Sequence, residues 1–235
     1  MPVEKDLPAP SKALLLLEGR LGLEVARFAL SYRRLARTLP RGGGQPVMVI
    51  PGFGMSDVTI APLLHLLKKL GYASYGWGNG RNLGMRRGVK DRLAARLGEL
   101  QAHHAQGVTL VGWSLGGVFA REMARHQPQL VRRVITLGSP INGHPDANNM
   151  VALFRLANRG KPMKTDLDGF ARRIAPPPVP CTAVYTKSDG VVSWRASVED
   201  PAPNVENVEV RGSHMGLPFN PQVVRIIVER LARID

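Results

Sequence analysis

Residues 108–117 read VTLVGWSLGG, and this stretch decides the fold. Its first four residues form an apolar run typical of a buried strand, and residues 118–124 continue directly with a helical pattern. Between the two stands Gly-x-Ser-x-Gly, with Ser114 at its centre. A serine on so tight a turn has strained backbone angles, and side chains two positions to either side would collide with the turn. The pattern predicts a strand, a sharp turn and a helix, with the Ser114 hydroxyl at the carboxyl edge of a sheet. The alternative is a glycine-rich start of a helix that carries no chemistry.

Strand-like and helical patterns alternate on both sides of this motif. Strands are predicted at residues 47–50, 72–77, 108–111, 131–137, 182–185 and 205–210, and helices at 56–70, 83–103, 118–124 and 221–234. Such alternation implies right-handed crossovers and a parallel sheet that is covered on both faces. We therefore predict one α/β domain over residues 1–235, with about six mostly parallel strands. Sheets of this kind bind ligands at the carboxyl ends of their strands.

Two segments interrupt the alternation. Residues 12–39 carry an apolar side chain every three or four positions, which predicts an N-terminal helical extension with a break near Gly19 and Gly22. It either packs on the core or lies on a membrane or a partner. Residues 140–180 place about forty residues between two strands, which is too long for a structureless loop. We predict a small helical lid there, and a helical excursion without a gating role is the alternative.

The chain is strongly basic, with a formal net charge of +14. The basic residues are scattered as short pairs, and aromatic residues make up only 6% of the chain. Both features argue against a nucleic-acid partner, because single-strand binding needs aromatic side chains for stacking. The charge is typical of a solvated face that favours anionic interfaces, which allows peripheral contact with an anionic membrane surface. The sequence does not decide the oligomeric state.

Cysteine and histidine usage indicates neither a disulfide framework nor a metal site. Cys181 is the single cysteine and begins an apolar run, so it is interpreted as buried. The six histidines show no zinc-type pairing, and no cofactor or metal is expected. No secretory signal or membrane-spanning stretch is recognised, which predicts a cytoplasmic protein.

A serine hydroxyl becomes a nucleophile only with a base within hydrogen-bond reach and an acid that orients the base. After a Gly-x-Ser-x-Gly turn the expected chain order is serine, then an acid, then histidine. Asp189 follows the fifth predicted strand directly, and His214 follows the sixth. Both therefore belong to the same sheet edge as Ser114. His144, at the start of the predicted lid, is the one substitute base.

An acyl transfer also needs two N–H donors for the oxyanion of the tetrahedral intermediate. The backbone N–H groups of Leu115, next to the serine, and of Phe53, in the glycine-rich loop after the first strand, are predicted to supply them. The Phe53 side chain then faces the acyl group. The predicted substrate-binding residues are Phe53, Trp113, Met150, Leu153, Phe154, Trp194 and Met215.

Five short motifs together resemble the α/β-hydrolase fold, in particular its bacterial esterase and lipase branch. They are PGFG at 51–54, GWSLG at 112–116, LGSP at 137–140, SDG at 188–190 and GSH at 212–214. The resemblance covers residues 46–235. It implies Ser114 as nucleophile, His214 as general base, Asp189 as its orienting acid, and a lid between the fourth and fifth strands. The chain departs from the family in having Pro51-Gly52 where many members have His-Gly, and in lacking the usual antiparallel strands before the first motif.

We therefore expect a serine carboxylic-ester hydrolase that acts on a small-molecule ester or lipid with an apolar acyl group. An acyltransferase, thioesterase or lactonase with the same triad is the alternative reading. A third reading is a non-catalytic scaffold that binds a hydrophobic ligand or a membrane.

Overall fold

The computed structural model of the chain describes residues 7–84, 86, 88–104, 106–142 and 174–233. Within these residues the chain forms one sheet of six strands, all parallel, in the order β2-β1-β3-β4-β5-β6. The strands are β1 Pro46–Ile50, β2 Ala73–Gly76, β3 Val108–Trp113, β4 Val131–Leu137, β5 Cys181–Tyr185 and β6 Val205–Glu209. The helices are α1 Lys12–Leu17, α2 Leu21–Thr38, α3 Asp57–Lys69, α4 Val89–His103, α5 Leu115–His126 and α6 Pro221–Leu231. The predicted α/β fold with six strands is confirmed.

Helices cover both faces of the sheet, which explains why the central strands are apolar without alternation. Every residue of β1 and β3 is buried. One apolar layer is formed by side chains of α2, α3 and α6, among them Phe28, Leu63 and Val224. The other layer is formed by side chains of α4 and α5, among them Leu93 and Phe119. Strands buried on both faces are the expected pattern of a parallel sheet.

The N-terminal extension packs on the core as a broken helix. A 3₁₀ turn at Glu18–Arg20 separates α1 from α2, close to the break predicted near Gly19 and Gly22. Phe28 and Leu35 of α2 are buried in the same apolar layer as α6. The extension therefore takes part in the hydrophobic core, and no strand precedes β1 among the described residues.

Helix α4 begins at Val89 and not at residue 83, as the apolar spacing predicted. The reason is local, since Gly84 and Gly88 both have positive φ angles of 90° and 78°. A left-handed residue interrupts helical hydrogen bonding, so the helix starts only after Gly88.

The predicted lid falls largely on residues 143–173, which lie outside the described residues. His144, Met150, Leu153 and Phe154 lie there as well. Among the described helices, none combines the length and hydropathy needed to cross a membrane.

Candidate active site

Ser114 occupies the turn between β3 and α5. Its φ of 53° makes it the only non-glycine with positive φ among the described residues. Its N–H donates to the Leu137 carbonyl at the end of β4, with a distance of 2.8 Å. Non-glycine residues are seldom found in this region, and such strain persists where surrounding contacts enforce it.

The glycines around Ser114 are required by close backbone contacts. A Cβ on Gly112 would lie 2.3 Å from Cα of Gly117, and a Cβ on Gly116 would lie 2.2 Å from the Ile50 carbonyl oxygen. Real Cβ atoms do not approach other atoms this closely. The turn can therefore press α5 against the ends of β1 and β3 only with glycine at these positions.

Asp189 and His214 form a buried pair at the same edge of the sheet. His214 Nδ1 lies 2.7 Å from Asp189 Oδ2, and both residues are 2% exposed. An ionised carboxylate only accepts, so Nδ1 carries the proton and Nε2 is left to accept one. The other carboxylate oxygen, Oδ1, accepts from the N–H groups of Val191 and Val192 at 2.8 and 2.7 Å. The acid is thus held by its own loop and oriented towards the imidazole.

Two contacts place this pair beside Ser114. The indole of Trp113, the residue before the serine, has its ring centroid 6.3 Å from that of His214, and its Nε1 donates to the His214 carbonyl at 3.1 Å. Gly138 follows β4, and a Cβ there would lie 3.0 Å from His214 Nδ1 and 3.1 Å from Asp189 Oδ2. The carbonyl of Leu137, the last residue of β4, also accepts the Ser114 N–H. Ser114, Asp189 and His214 therefore lie at one edge of the sheet.

The charges around His214 set its basicity. Burial lowers the pKa of its imidazole, but the charge and hydrogen bond of Asp189 and the charge of Glu18 raise the pKa more strongly. The net effect is a pKa above the ordinary 6.5. The imidazole therefore accepts a proton more readily than an isolated histidine.

The loop after β1 lies against Ser114. A Cβ on Gly52 would lie 3.3 Å from Ser114 Cβ. Leu115 is the first residue of α5, and the N–H groups of the first turn of a helix have no acceptor within that helix. Phe53 is half-buried in the same loop as Gly52.

Asn82 supports this loop, and sequence reasoning missed it. Its side chain is fully buried, and its Nδ2 donates to the Pro51 carbonyl at 2.7 Å. Its backbone accepts from Gly54 N–H and donates to the Met55 carbonyl, both at 2.7 Å. The sequence carried no signal for this role, because Asn82 stands in a glycine-rich stretch and its partner Pro51 lies 31 residues away.

The predicted substrate-binding residues are distributed unevenly. Trp113 is 2% exposed and packs against His214. Trp194 stacks on Tyr185 with ring centroids 5.7 Å apart and lines a cavity of about 330 Å³ that contains none of the predicted triad residues. Met215 is half-buried next to His214. Met150, Leu153 and Phe154 lie outside the described residues.

A buried ion pair connects α5 to a distant loop. Arg121 and Glu199 approach to 2.6 Å, with side-chain exposures of 3% and 1%. Arg121 also donates to the carbonyls of Ile174, at 2.9 Å, and Ile141, at 3.4 Å. These two residues lie at the borders of residues 143–173, so Arg121 holds together the two described ends of that segment.

Metal or thiol chemistry finds no support in the described part of the chain. No group of three or more histidine, cysteine, aspartate or glutamate side chains in this part has the arrangement of a metal site. Burial raises the pKa of Cys181 to about 12, so the thiol stays protonated and unreactive.

Comparison with known proteins places the chain in a family. The sequence profile of the alpha/beta hydrolase fold matches residues 12–172, which is more than half of the chain. The chain belongs to the α/β-hydrolase fold family. The matched residues of this α/β-hydrolase include Ser114 and the loop after β1, and they end before Asp189. No curated protein sequence gives a significant match.

Solved structures of lipases share the fold at low identity. Aspergillus fumigatus lipase B has 17% identity and a TM-score of 0.63, over 81% of this chain and 53% of that protein. Paleococcus ferrophilus monoacylglycerol lipase has 18% identity and a TM-score of 0.56, over 80% and 95%. A Bacillus licheniformis lipase has 18% identity and a TM-score of 0.57, over 84% and 95%. The chain spans about half the length of the fungal lipase, and identities this low establish the fold alone.

Proposed function

We propose that this α/β-hydrolase is a serine carboxylic-ester hydrolase with Ser114 as nucleophile, His214 as general base and Asp189 as the orienting acid. The observation that carries the proposal is the buried contact of 2.7 Å between His214 Nδ1 and Asp189 Oδ2, at the sheet edge where Ser114 is held with φ of 53°. Family membership and the lipase structures with the same fold support it.

In the first half-reaction Ser114 Oγ attacks the ester carbonyl carbon while His214 Nε2 takes the hydroxyl proton. The carbonyl oxygen becomes an oxyanion, which accepts hydrogen bonds from the Leu115 and Phe53 N–H groups. The imidazolium formed is stabilised by Asp189. When the tetrahedral intermediate collapses, the bond to the alkoxy oxygen breaks and His214 returns the proton to that oxygen, which releases the alcohol.

In the second half-reaction water takes the place of the serine hydroxyl. His214 removes a proton from water, the hydroxyl oxygen attacks the acyl carbon, and the acid leaves as Ser114 regains its proton. The elevated pKa of His214 suits it to both roles.

The acyl group is proposed to be apolar and to lie against Phe53 and Met215, which are half-buried on the loops beside the serine and the histidine. Met150, Leu153 and Phe154 of the predicted lid would complete the pocket. A series of p-nitrophenyl esters of increasing acyl length tests this, and equal rates across the series would contradict an apolar pocket. Thioesters and lactones in the same screen test the alternative substrates.

Replacement of Ser114 by alanine tests the nucleophile. We expect kcat/KM on p-nitrophenyl esters to fall roughly 10⁴- to 10⁶-fold with the fold retained, because no attacking oxygen remains. Labelling by a fluorophosphonate probe should disappear together with the activity.

Ser31→Ala is the matched control, since Ser31 lies in α2 and has no proposed role. It should keep both activity and labelling. Near-full activity in Ser114→Ala would contradict the assignment, and a wild-type protein that is neither active nor labelled would favour a non-catalytic scaffold.

A further inference from the structure

The N-terminal helical segment touches both loops that carry the proposed acid and base. Glu18, in the 3₁₀ turn, accepts three backbone hydrogen bonds through its carboxylate. Its Oε1 accepts from Gly190 N–H at 2.9 Å and from His214 N–H at 3.0 Å, and its Oε2 accepts from Met215 N–H at 2.9 Å. One side chain thus holds the residue after Asp189 and the backbone of His214 itself.

Two neighbouring side chains extend the contact. Arg20 donates to Ser188 Oγ at 2.9 Å and to the Gly212 carbonyl at 2.7 Å. Glu24 accepts from the Ser213 N–H at 2.8 Å and also from the Ser213 hydroxyl. Hydrogen bonds to charged groups are roughly twice as strong as neutral ones.

A glycine in each loop lies in close contact with the N-terminal helical segment. A Cβ on Gly190 would lie 2.3 Å from the Leu14 carbonyl oxygen, and a Cβ on Gly216 would lie 1.7 Å from a Glu24 carboxylate oxygen. The Gly190 contact is with backbone, so the helical segment can dock there only because residue 190 lacks a side chain, whereas at Gly216 the neighbour is the end of the Glu24 side chain.

We propose that Glu18 is a positioning residue that sets the distance between the Asp189 and His214 loops. This inference rests on the proposed function. The loops follow different strands, β5 and β6, and a carboxylate bound to both backbones couples their positions. A base displaced by about 1 Å can cost on the order of 100-fold in rate.

Glu18→Gln keeps the size of the side chain but removes its charge and leaves one backbone N–H facing an amide. We expect kcat on a short p-nitrophenyl ester to fall roughly 10- to 100-fold with KM little changed. The acid limb of kcat/KM should also move to lower pH, since the Glu18 charge contributes to the raised pKa of His214.

Glu18→Asp separates the effect of position from the effect of charge, because the shorter side chain keeps the charge and no longer reaches both loops. It should lower kcat while leaving the acid limb near its wild-type position.

Glu24→Gln is the matched control for the pH profile. The charged groups that face the His214 loop are Asp189, Glu18, Glu24 and Arg20. Asp189 and Glu18 raise the pKa of His214, whereas Glu24 binds the backbone and hydroxyl of Ser213. Glu24→Gln should therefore leave the acid limb in place. All kinetics are measured well below each variant's Tm, and the labelling rate with a fluorophosphonate reports the serine's reactivity independently of the substrate.

The outcomes separate this inference from the proposed function. An active wild-type enzyme whose Glu18→Gln variant keeps its kcat and pH profile would overturn the positioning role alone. An inactive and unlabelled wild-type protein would overturn the proposed function itself.

A second observation is independent of the reaction and concerns the outer face of α2. Leu23, Arg27, Leu30, Arg34 and Arg37 are spaced by four, three, four and three residues, so they form one stripe, which we call the Leu/Arg stripe. Leu23 is 77% exposed and Leu30 is 87% exposed. The opposite face of α2 packs on the core through Phe28 and Leu35.

The charges of the Leu/Arg stripe select its partner. Within the described residues no carboxylate pairs with Arg27, Arg34 or Arg37. A second copy of the chain packed on the same stripe would oppose arginine to arginine. Lipid phosphates at the surface of an anionic bilayer complement the arginines, and the acyl boundary accepts the leucines.

We infer that the Leu/Arg stripe docks on an anionic phospholipid surface. Sedimentation with phosphatidylglycerol vesicles should show binding that phosphatidylcholine vesicles do not give. The variant R27Q/R34Q/R37Q should bind roughly 100-fold more weakly, since each basic residue near such a surface contributes about fivefold. The variant L23Q/L30Q should also lose affinity.

The variant K68Q/K90Q/R225Q is the matched control, because it removes the same charge from exposed positions outside the stripe. If K68Q/K90Q/R225Q loses as much vesicle binding as R27Q/R34Q/R37Q, the loss is explained by net charge alone and the inference is overturned. Equal binding to both lipids would also overturn it. A wild-type dimer that L23Q/L30Q converts to monomers would instead identify a second copy as the occupant.

Discussion

Ser114 shows how a single backbone conformation imposes requirements on its neighbours. Its φ of 53° turns the chain sharply from β3 into α5, and the turn is compact enough to exclude a Cβ at Gly112 and Gly116. The spacing of the glycines is therefore a consequence of the serine's position. This is why the motif could be interpreted from sequence, since the restrictions act between residues close together in the chain.

The pH dependence of the reaction belongs to His214. Because its pKa lies above 6.5, the acid limb of kcat/KM should lie above pH 6.5, with activity falling about tenfold per pH unit below that limb. The same shift stabilises the fold: its contribution is fully present below the unfolded-state pKa of about 6.5 and is lost as pH rises through the folded-state pKa. A pH profile of p-nitrophenyl ester hydrolysis measures the first effect.

Circular dichroism over the same pH range controls for unfolding. An acid limb at or below pH 6.5 in a protein that stays folded would show that Asp189 and Glu18 do not outweigh burial at His214.

At the residue scale, contacts could be anticipated where the partners follow a rule of chain order. The contact between Asp189 and His214 is of this kind, because both residues follow strands of a parallel sheet. The contact of Glu18 could not be anticipated, because its partner His214 lies 196 residues away and no local pattern marks the hydrogen bond. Arg121 and Glu199 are 78 residues apart and were missed for the same reason.

At the scale of elements, α5 has two roles at its two ends. It begins at Leu115, directly after Ser114, and about two turns later Arg121 reaches the carbonyls of Ile141 and Ile174 and the carboxylate of Glu199. Burial raises the pKa of Glu199, although the charge and hydrogen bond of Arg121 act in the opposite sense. The buried carboxylate of Glu199 is therefore stabilised in its charged form by Arg121.

Arg121→Met should destabilise the protein by about 3–5 kcal/mol, because it leaves Glu199 buried without its counter-charge. Urea unfolding followed by circular dichroism measures the loss.

The double variant Arg121→Met with Glu199→Leu is the control, since it removes both charges and should recover part of the lost stability. A single variant within about 0.5 kcal/mol of wild type would mean that Glu199 finds another partner.

Prediction of the elements was limited mainly at their boundaries. The six strands and their parallel arrangement followed from the alternation of patterns, whereas the start of α4 did not. The apolar spacing continues backward from Val89, but Gly84 and Gly88 are left-handed and stop the helix. The spacing of apolar residues shows which face of a helix is buried, but it does not show the backbone φ angles of the glycines.

At the scale of the whole molecule, the N-terminal extension completes one of the two apolar layers. Phe28 of α2 meets Phe219 edge to face, with ring centroids 6.3 Å apart, next to the first turn of α6. Helices α2 and α6 are therefore parts of one core.

Phe28→Ala should lower the free energy of unfolding by about 3–5 kcal/mol, because it removes a ring that is 4% exposed. Unfolding should remain a single transition, since α2 is integrated with the sheet's outer layer. Urea denaturation monitored by tryptophan fluorescence and by circular dichroism tests both points.

Leu30→Ala on the same helix is the control and should change stability by no more than about 0.5 kcal/mol, because that side chain is 87% exposed. Equal losses in the two variants would contradict the packing of α2 on the core.

The docking of Glu18 on the loops after β5 and β6 has a consequence for biosynthesis. During translation α1 and α2 emerge before residues 188–215, which carry the groups that bind Glu18 and Arg20. Until α6 follows, the apolar side of α2 lacks Phe219 and the side chains of α6 that complete its layer, which leaves part of it open to chaperones and to aggregation. The nascent chain therefore has to hold α1 and α2 without these contacts until residues 188–215 have left the ribosome.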